Sequence, residues 1–267
     1  MLEKNNQRKI LIKADLIREF ENCGLGPGQT IFVHCSLSSL GFVVGGAETL
    51  IRALLEIVGE EGTLMMPSQT WKNLDPTTGV HWEEPEEWWP ILRENWPAYD
   101  KEVTPAIGMG AVAEMFRKWP GAKRSDHPAR SVAAVGKYAE YLTKDHDLSN
   151  IFGDNSPVGK LYELDGYILL IGVGYERNTS LHLSEYRANF SGKKFTNESS
   201  AIFINGERKW ITYNTQEVND EDFIKLGSEY DKEKNITIHE VGNAKVRFMK
   251  QRSLVDWTVE WMEKNRK

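Results

Sequence analysis

The region between residues 29 and 66 constrains the fold of this chain more than any other part of its sequence. Residues 29–35 (QTIFVHC) contain a continuous apolar run, which is typical of a strand buried on both faces. Residues 36–46 are rich in serine and glycine, residues 47–58 have helical periodicity, and residues 63–66 form a second short apolar run. Strands joined through a helix and glycine turns indicate a βαβ unit. We therefore predict an α/β fold with a largely parallel or mixed central sheet.

Residues 67–105 differ in composition from the rest of the chain. They contain six prolines, five tryptophans and a cluster of glutamates, and they show no periodicity. Such a segment in a compact chain is usually a functional loop, so we interpret it as a lid-like insertion in a single domain spanning residues 1–267. Residues 150–160 are also predicted to form a loop. The dipeptide Asn205-Gly206 is a strong hairpin signal between β-type segments, which predicts a β-rich C-terminal excursion.

Charge and cysteine content restrict the partners and the compartment. The 267 residues carry a formal net charge of −6, whereas nucleic-acid-binding proteins show a basic surplus or patch. We therefore expect no nucleic-acid partner, and an acidic protein suits a cationic or amine-bearing small molecule. The two cysteines, Cys23 and Cys35, lie outside any CxxC pair, which indicates a reducing compartment. No apolar run has the length of a signal peptide core or a membrane span, so we predict a cytoplasmic protein without a membrane partner.

The segment that follows the apolar run at residues 167–171 carries a candidate catalytic pair. Residues 178–180 (NTS) are of types that cap helix starts. If Thr179 is the N-cap, His182 lies in the first helical turn and Glu185 lies on the same helix face. An imidazole can take up a proton near neutral pH, so His182 is a candidate general base. The alternative is a structural pair that stabilises the helix by roughly 0.2–0.5 kcal/mol.

Four motifs occur in order along the chain and together resemble one known family. They are HCSLSSLG at 34–41 with Gly45 and Gly46, RSDHP at 124–128 with SVAAVG at 131–136, FGDNSP at 152–157, and NTSLH at 178–182 with Glu185. Over about residues 10–250, the sequence resembles the aminoglycoside 3-N-acetyltransferase family, whose fold differs from that of the common GNAT acetyltransferases. The resemblance implies three α/β/α layers and acetyl transfer from acetyl-CoA to an amine. It also places the family's catalytic His–Glu pair at His182 and Glu185.

The turn after the first buried strand is the candidate site for acetyl-CoA. A turn between a strand and a helix exposes backbone N–H groups, and serine hydroxyls add donors for phosphate or pantetheine oxygens. The predicted acetyl-CoA contacts are His34, Ser36, Leu37, Ser38 and Ser39. Arg124, with Ser125 beside it, is a further candidate because a guanidinium matches phosphate geometry. Ordinary structural roles remain the alternative for both groups of residues.

Several acidic residues are candidates for binding the amine. Asp154 and Glu185 are predicted substrate contacts. The glutamates within residues 83–87, together with Trp82, Trp88 and Trp89, could bind a polycation through charge and cation–π contacts, or form a solvated lid. No spacing of His, Cys, Asp or Glu resembles a metal site, so we predict no metal.

Three hypotheses about function remain open at the level of the sequence. In the first, the amine attacks acetyl-CoA directly in a ternary complex after His182 removes its proton. In the second, the acetyl group passes through Cys35, which stands where the family pattern has serine, in a ping-pong reaction. In the third, the protein binds CoA or another small molecule without efficient turnover. The sequence names neither the amine nor the oligomeric state.

Overall fold

A computed structural model describes residues 9–79 and 82–267, and these residues form the following elements. The strands are β1 (Ile10–Leu11), β2 (Thr30–Cys35), β3 (Phe42–Val43), β4 (Thr63–Pro67), β5 (Lys123–Arg124), β6 (Val132–Gly136), β7 (Tyr167–Ile171), β8 (Phe195–Ile204), β9 (Glu207–Gln216), β10 (Ile238–Val241) and β11 (Ala244–Lys250). The α-helices are α1 (Lys13–Asn22), α2 (Gly46–Val58), α3 (Trp89–Asn95), α4 (Gly110–Phe116), α5 (Ala139–Thr143), α6 (Pro157–Glu163), α7 (Leu181–Arg187), α8 (Phe223–Glu233) and α9 (Gln251–Asn265).

The central sheet has seven strands in the order β10-β11-β7-β2-β4-β6-β5. Strand β2 pairs in parallel with both β4 and β7, whereas β6 and β11 pair antiparallel on the two sides of this parallel centre. The predicted βαβ unit is therefore β2–α2–β4, and the sheet is mixed. Because β2, β4 and β7 run in the same direction, their carboxyl ends lie at the same edge of the sheet.

Helices cover both faces of the sheet, as the side chains of β2 illustrate. Ile31 and Val33 belong to a buried cluster that includes residues from α1, α2 and α4. Phe32 points to the opposite face and packs in a cluster with residues of α5, α6, α7 and α9. Full burial of one such apolar side chain contributes about 1.5–3 kcal/mol. The predicted three-layer α/β/α architecture is confirmed.

The predicted hairpin is also confirmed, and it forms a separate two-stranded sheet. Strands β8 and β9 pair over ten residue pairs, and the turn residues Asn205 and Gly206 have φ values of 52° and 80°. Positive φ at both central residues is the requirement of a type I′ turn, which explains why Asn-Gly occurs there. The hairpin packs on the 67–105 segment, since the backbone N–H of Asp75 donates to the carbonyl of Ser199 at 2.8 Å.

The segment 67–105 contains more regular structure than its sequence indicates. Helix α3 lies within it, and Pro90 occupies the first turn of this helix, where a missing backbone N–H costs nothing. The guanidinium of Arg208 on β9 donates to the carbonyl of Trp96 at 2.7 Å, so the segment is docked on the hairpin. Val80 and His81, which belong to the predicted lid, lie outside the described residues.

Two local predictions are wrong. Residues 150–160 do not form a loop throughout, because α6 begins at Pro157 with Ser156 as its N-cap; the Ser156 side chain accepts from the N–H of Gly159. The helical period of the apolar residues at 10–23 predicts one helix there, but the helix is shorter, since Ile10 and Leu11 pair with β3 as a parallel strand before α1 begins. Both errors lie at element boundaries, where a few hydrogen bonds outweigh periodicity.

Candidate active site

A cleft of about 1320 Å³ opens at the carboxyl ends of the parallel strands. Ligands of α/β proteins bind at this edge because the loops that follow parallel strands converge there. The cleft is lined by the ends of β2 and β4, the loop after β7, the start of α2, the residues before α4, and the hairpin end. Its lining includes His34, Cys35, Ser36, Leu37, Ser38, Gly46, Pro67, Trp71, Arg130, Phe152, Glu176, His182, Glu198, Glu217 and Asp220.

His182 lines this cleft and forms a hydrogen-bonded pair with Glu185. Glu185, a predicted substrate contact, is not among the lining residues and lies behind His182. Helix α7 begins one residue later than predicted, with Ser180 rather than Thr179 at the N-cap position. Nδ1 of His182 lies 2.5 Å from Oε2 of Glu185. An ionised carboxylate only accepts hydrogen bonds, so Nδ1 donates to Glu185, and in the neutral imidazole Nε2 is then the nitrogen with the lone pair. The ring of Phe152 stacks on the imidazole with centroids 4.8 Å apart, which fixes the plane of the ring.

Glu185 is almost completely buried and has partners that the sequence did not indicate. Its side chain is 2% exposed. The backbone N–H of Asn219 donates to Oε1 at 2.9 Å, and Nη1 of Arg266 donates to the same oxygen at 2.5 Å. The side chain of Gln216 donates to the backbone carbonyl of Glu185 at 3.1 Å. These partners come from the end of the hairpin, the following loop and the end of α9, so only the folded chain brings them together.

The turn predicted to bind acetyl-CoA forms one end of the cleft. Ser36, Leu37 and Ser38 line it, but Ser39 does not; its hydroxyl donates to the carbonyl of Ser36 at 2.6 Å and shapes the turn. Helix α2 begins next to this turn, and its N-cap Gly45 supplies no side-chain cap. The first N–H groups of α2 are therefore available to a ligand.

His34, a member of this predicted site, lines the same cleft as His182. It is buried, and its ring lies 4.4 Å from that of Phe32 on the sheet face that carries α7. Burial, and then the charge of His182, lower the pKa of His34 to about 3. His34 is therefore a neutral side chain in the cleft at any physiological pH.

Arg124 and Ser125 are not brought to the cleft. Arg124 is 6% exposed, and its guanidinium donates to the hydroxyl of Ser131 at 3.1 Å and to the carbonyl of Ser68 at 2.7 Å. Its guanidinium also lies 5.2 Å from the centre of the Tyr99 ring. A guanidinium whose donors already bind protein groups cannot also hold a phosphate, so Arg124 ties the 67–105 segment to the sheet.

Ser125 forms a hydrogen bond with the buried side chain of His146, outside the cleft lining. Its hydroxyl bonds to Nδ1 of His146 at 2.9 Å and accepts the N–H of Val132 at 3.0 Å. The neighbouring His127 accepts the N–H of Arg130 at 3.0 Å. Through these hydrogen bonds, the RSDHP motif stabilises the loop that carries Arg130 into the cleft.

Asp154 lies at the surface and does not line the cleft. Its carboxylate accepts from Nε of Arg187 at 2.8 Å, and its side chain is 64% exposed. The glutamates at 83–87 are also absent from the lining residues, and Glu84 instead accepts from Nζ of Lys72 at 2.7 Å. The sequence therefore predicted acidic contacts for the amine but assigned them to residues outside the cleft.

Four other carboxylates line the cleft instead. We refer to Glu176, Glu198, Glu217 and Asp220 together as the acidic wall. Glu176 comes from the loop after β7, Glu198 from β8, and the other two from the loop after β9. None of the four motifs includes these residues. Glu176 and Glu198 are separate in the sequence, whereas Glu217 and Asp220 lie in one acidic segment, residues 217–222 (EVNDED). The sequence signals that agree with the acidic wall are this segment and the net charge of −6.

Glu198 differs from the rest of the acidic wall because it is buried together with Arg130. Nη2 of Arg130 lies 2.7 Å from Oε1 of Glu198, and the two side chains are 5% and 6% exposed. The guanidinium lies 4.2 Å from the ring centre of Trp71. Nε and Nη1 of Arg130 and Oε2 of Glu198 have no protein partner. These atoms are closed to solvent, so the ion pair forms a fixed part of the cleft wall.

Cys35 lines the cleft but has the chemistry of a buried thiol. Burial raises its pKa to about 12, so the thiol stays protonated at neutral pH. In the part of the chain that the structure describes, no three His, Cys, Asp or Glu side chains come together in a way that could hold a metal ion. Within the same ranges, no helix has both the length and the apolar composition needed to cross a bilayer.

Comparison with known families agrees with the ordered motifs. Residues 32–263 match the family described as Aminoglycoside 3-N-acetyltransferase. The chain therefore belongs to the aminoglycoside 3-N-acetyltransferase family, and the prediction of an acyltransferase of this type is confirmed.

Two curated relatives match along nearly their whole lengths. The SPbeta prophage-derived aminoglycoside N(3')-acetyltransferase-like protein YokD of Bacillus subtilis is 39% identical over 254 residues, which cover 95% of this chain and 93% of that protein. Aminoglycoside N(3)-acetyltransferase VII of Streptomyces paromomycinus is 35% identical over 94% of this chain and 91% of its own.

Solved structures with the same fold include two that contain ligands. The crystal structure of YokD from Bacillus subtilis has a TM-score of 0.91 at 39% identity, covering 95% of this chain and 93% of that one. AAC-VIa bound to sisomicin has a TM-score of 0.88 at 27% identity, covering 97% and 99%. The binary complex of AAC-IIIb with CoASH has a TM-score of 0.86 at 26% identity, covering 96% and 97%.

The buried histidines next to the cleft lead to a prediction about stability. Burial is the main cause that lowers the pKa of His34 to about 3, of His146 to about 4, and of His127 well below its ordinary value of 6.5. As the pH falls, these histidines therefore bind protons in the unfolded chain before they do so in the folded protein. Their contribution to the free energy of unfolding is fully present above about pH 6.5 and is lost progressively toward pH 4. Between pH 6.5 and 5, each histidine should lower the free energy of unfolding by up to about 2 kcal/mol.

Urea unfolding at pH 7, 6 and 5 measures this loss. His146→Gln removes one titrating group and should reduce the pH dependence by about a third. His239→Gln is the matched control, because His239 lies half-exposed on β10. A free energy of unfolding that stays constant from pH 7 to pH 5 contradicts the prediction.

Proposed function

We propose that this protein is an acetyl-CoA-dependent N-acetyltransferase that acetylates an amino group of an aminoglycoside or a similar amine by direct transfer. The observation that carries the proposal is that His182, hydrogen-bonded to buried Glu185, lines the same cleft as the serine-rich turn and the acidic wall. The family of the chain, and the relatives bound to CoASH and to sisomicin, support the two substrates.

Acetyl-CoA fits the end of the cleft formed by the turn at Ser36–Ser38 and the start of α2. Unpaired N–H groups at a helix N-terminus and serine hydroxyls are donors for phosphate and amide oxygens. The wall here also includes glycine-rich backbone at residues 108–110 and the apolar side chain of Val173, which suit a long, partly apolar pantetheine arm. Neutral His34 adds a polar group near the centre without placing a charge there.

The amine fits the other end of the cleft, where the acidic wall and Trp71 lie. Several separate carboxylates favour a ligand with several ammonium groups, because each new contact places opposite charges near one another. Arg130 and Glu198 form a buried ion pair against Trp71, which gives this part of the cleft a fixed polar wall. A polyamine is therefore the substrate class that this part of the cleft fits best.

The reaction requires that one ammonium group lose a proton before it can attack. Nε2 of His182 accepts this proton, and Glu185 stabilises the resulting imidazolium through Nδ1. The free amine then attacks the thioester carbonyl, so that a C–N bond forms and the C–S bond breaks. The CoA sulfur leaves as a thiolate and takes the second proton that the nitrogen loses, while His182 releases the first proton to solvent. The products are the N-acetylated amine, CoA and one proton.

The general-base role predicts a large loss of rate in His182→Ala. A general base contributes roughly 10²–10⁴-fold, so kcat/KM should fall by at least about 100-fold, while acetyl-CoA binding measured by calorimetry stays within about threefold. Release of the CoA thiol is the assay, with aminoglycosides and a diverse amine panel as acceptors. His239→Ala is the control, and retention of the wild-type rate in His182→Ala contradicts the role.

Direct transfer predicts that Cys35 is dispensable. With a pKa of about 12, its thiol is rarely ionised at neutral pH and is a poor nucleophile. Cys35→Ser should therefore keep kcat within about threefold, and the wild-type protein incubated with acetyl-CoA alone should show no acetyl adduct by mass spectrometry. A stable acetyl-Cys35 adduct that disappears on addition of amine would instead establish the ping-pong route.

The acidic wall predicts a charge-dependent KM for the amine. Asp220→Asn and Glu217→Gln should each raise KM by about fivefold with little change in kcat, because one exposed charge contact is worth about 1 kcal/mol. Glu87→Gln is the matched control, since Glu87 belongs to the 83–87 cluster outside the cleft. An increase of KM in Glu87→Gln, with none in Asp220→Asn, would assign amine binding to the cluster.

A further inference from the structure

The guanidinium of Arg266, which follows the last residue of α9, contacts the catalytic pair through Glu185. We propose that Arg266 is a positioning residue for the His182–Glu185 pair: it balances the buried charge of Glu185 and holds the carboxylate so that Oε2 accepts from His182. This inference rests on the proposed function, because it gives Arg266 a part in preparing the general base.

The contacts around Glu185 divide its two oxygens between two tasks. Oε2 accepts from His182, whereas Oε1 accepts from Nη1 of Arg266 at 2.5 Å and from the N–H of Asn219 at 2.9 Å. The side chains of Arg266 and Glu185 are 13% and 2% exposed. With Oε1 held at two points, the carboxylate cannot rotate away from His182 without breaking buried hydrogen bonds.

Aromatic packing restricts Arg266 further. Its guanidinium lies 5.5 Å from the ring centre of Phe190 and 5.9 Å from that of Phe223. The Phe223 ring also lies 5.0 Å from the imidazole of His182. The cation and the base therefore share one aromatic wall, and a planar guanidinium fits it better than an ammonium group.

Arg266 stays protonated and positively charged in this position. Burial lowers its pKa, but hydrogen bonds to Asp222 and Glu185 and their charges outweigh burial and raise it. A cation in contact with Glu185 favours the ionised carboxylate and opposes addition of a proton to the pair. Without Arg266, the pair should bind a proton at higher pH and be available as a base over a narrower range.

Other charged groups face the pair, but their contacts differ. Nζ of Lys193 lies near Glu185, yet it donates to the carbonyl of Tyr186 at 2.8 Å. His34 faces His182 as a neutral side chain. Asp222 pairs with Arg266, and Glu217 and Asp220 line the cleft on the amine side, where their charges act across the opening.

Arg266 also connects the base to the acidic wall. Its Nη2 donates to the carbonyl of Asn219 at 2.9 Å and to Oδ1 of Asp222 at 2.5 Å. The loop at residues 217–222 contains both partners and carries Glu217 and Asp220 into the cleft. One side chain therefore fixes the distance between the base and the carboxylates that would hold the substrate amines.

Four variants separate the charge, the hydrogen bonds and the loop. Arg266→Met removes the charge and the donors, and Arg266→Lys keeps the charge but not the planar fork. Asp222→Asn leaves the guanidinium on Glu185 while weakening the loop contact. Arg252→Met is the matched control, because Arg252 lies on α9, donates to the carbonyl of Tyr162 at 2.9 Å and makes no contact with Glu185. Circular dichroism and thermal melting establish that each variant is folded.

We expect kcat of Arg266→Met to fall by about tenfold or more, less than for loss of the base itself. KM for acetyl-CoA should stay within about twofold, and the acidic limb of the kcat/KM profile should move up by about one pH unit. Arg266→Lys should restore the acidic limb with a kcat between those of the wild type and Arg266→Met. Asp222→Asn and Arg252→Met should leave the acidic limb in place.

A readout without turnover keeps this inference separate from the proposed function. The imidazole signal of His182, assigned by its loss in His182→Gln, can be titrated by NMR. Its midpoint should move to higher pH in Arg266→Met and not in Arg252→Met. An unchanged midpoint and acidic limb in folded Arg266→Met overturn the role of Arg266. If the wild type transfers no acetyl group, the proposed function fails, and the NMR titration still decides whether Arg266 governs the pair.

If Arg266→Met does not fold, Arg266→Lys decides the question. A reduced kcat with an unshifted acidic limb supports the inference, because charge is kept while the fork is lost. A wild-type kcat and an unshifted midpoint in Arg266→Lys, with the same melting temperature, overturn the requirement for the guanidinium.

Discussion

The buried carboxylate of Glu185 is the constraint on which the rest of the site depends. A carboxylate that is 2% exposed is tolerated only where partners replace the water that it loses. Its partners come from α7 itself, from the loop at residues 217–222 and from Arg266 at the end of α9. The hairpin that leads into this loop and the helix that ends at Arg266 must therefore take up fixed positions around one charge.

The mixed sheet explains why a single cleft is lined by chemically different segments of the chain. The parallel strands β2, β4 and β7 end at one edge, so the serine-rich turn after β2 and the loop after β7 meet there. The antiparallel hairpin and the docked 67–105 segment add Trp71, Thr196 and Glu198 to the lining of the same cleft. His182 joins this lining because α7 follows the loop after β7.

Short-range patterns in the sequence predicted the parts of the structure that short-range interactions control. The apolar run before Cys35 and the helix that follows specify the βαβ unit, since strand and helix periodicity are local properties. Asn205-Gly206 specifies its turn because few other dipeptides adopt two positive φ values readily. His182 and Glu185 are three residues apart on one helix, so their contact also follows from local geometry.

By itself, the sequence determined the α/β class, the hairpin, the family and the His182–Glu185 pair. Only the tertiary structure decided which charged residues surround that pair. Arg124 was predicted at the cleft, but its guanidinium donates hydrogen bonds to buried groups of the protein. Arg130, six positions later, lines the cleft beside Glu198. Arg266 meets Glu185 across 81 positions of sequence. A charge carries no local periodicity that records its distant partner, so these contacts depend on how the layers pack and not on any pattern in the chain.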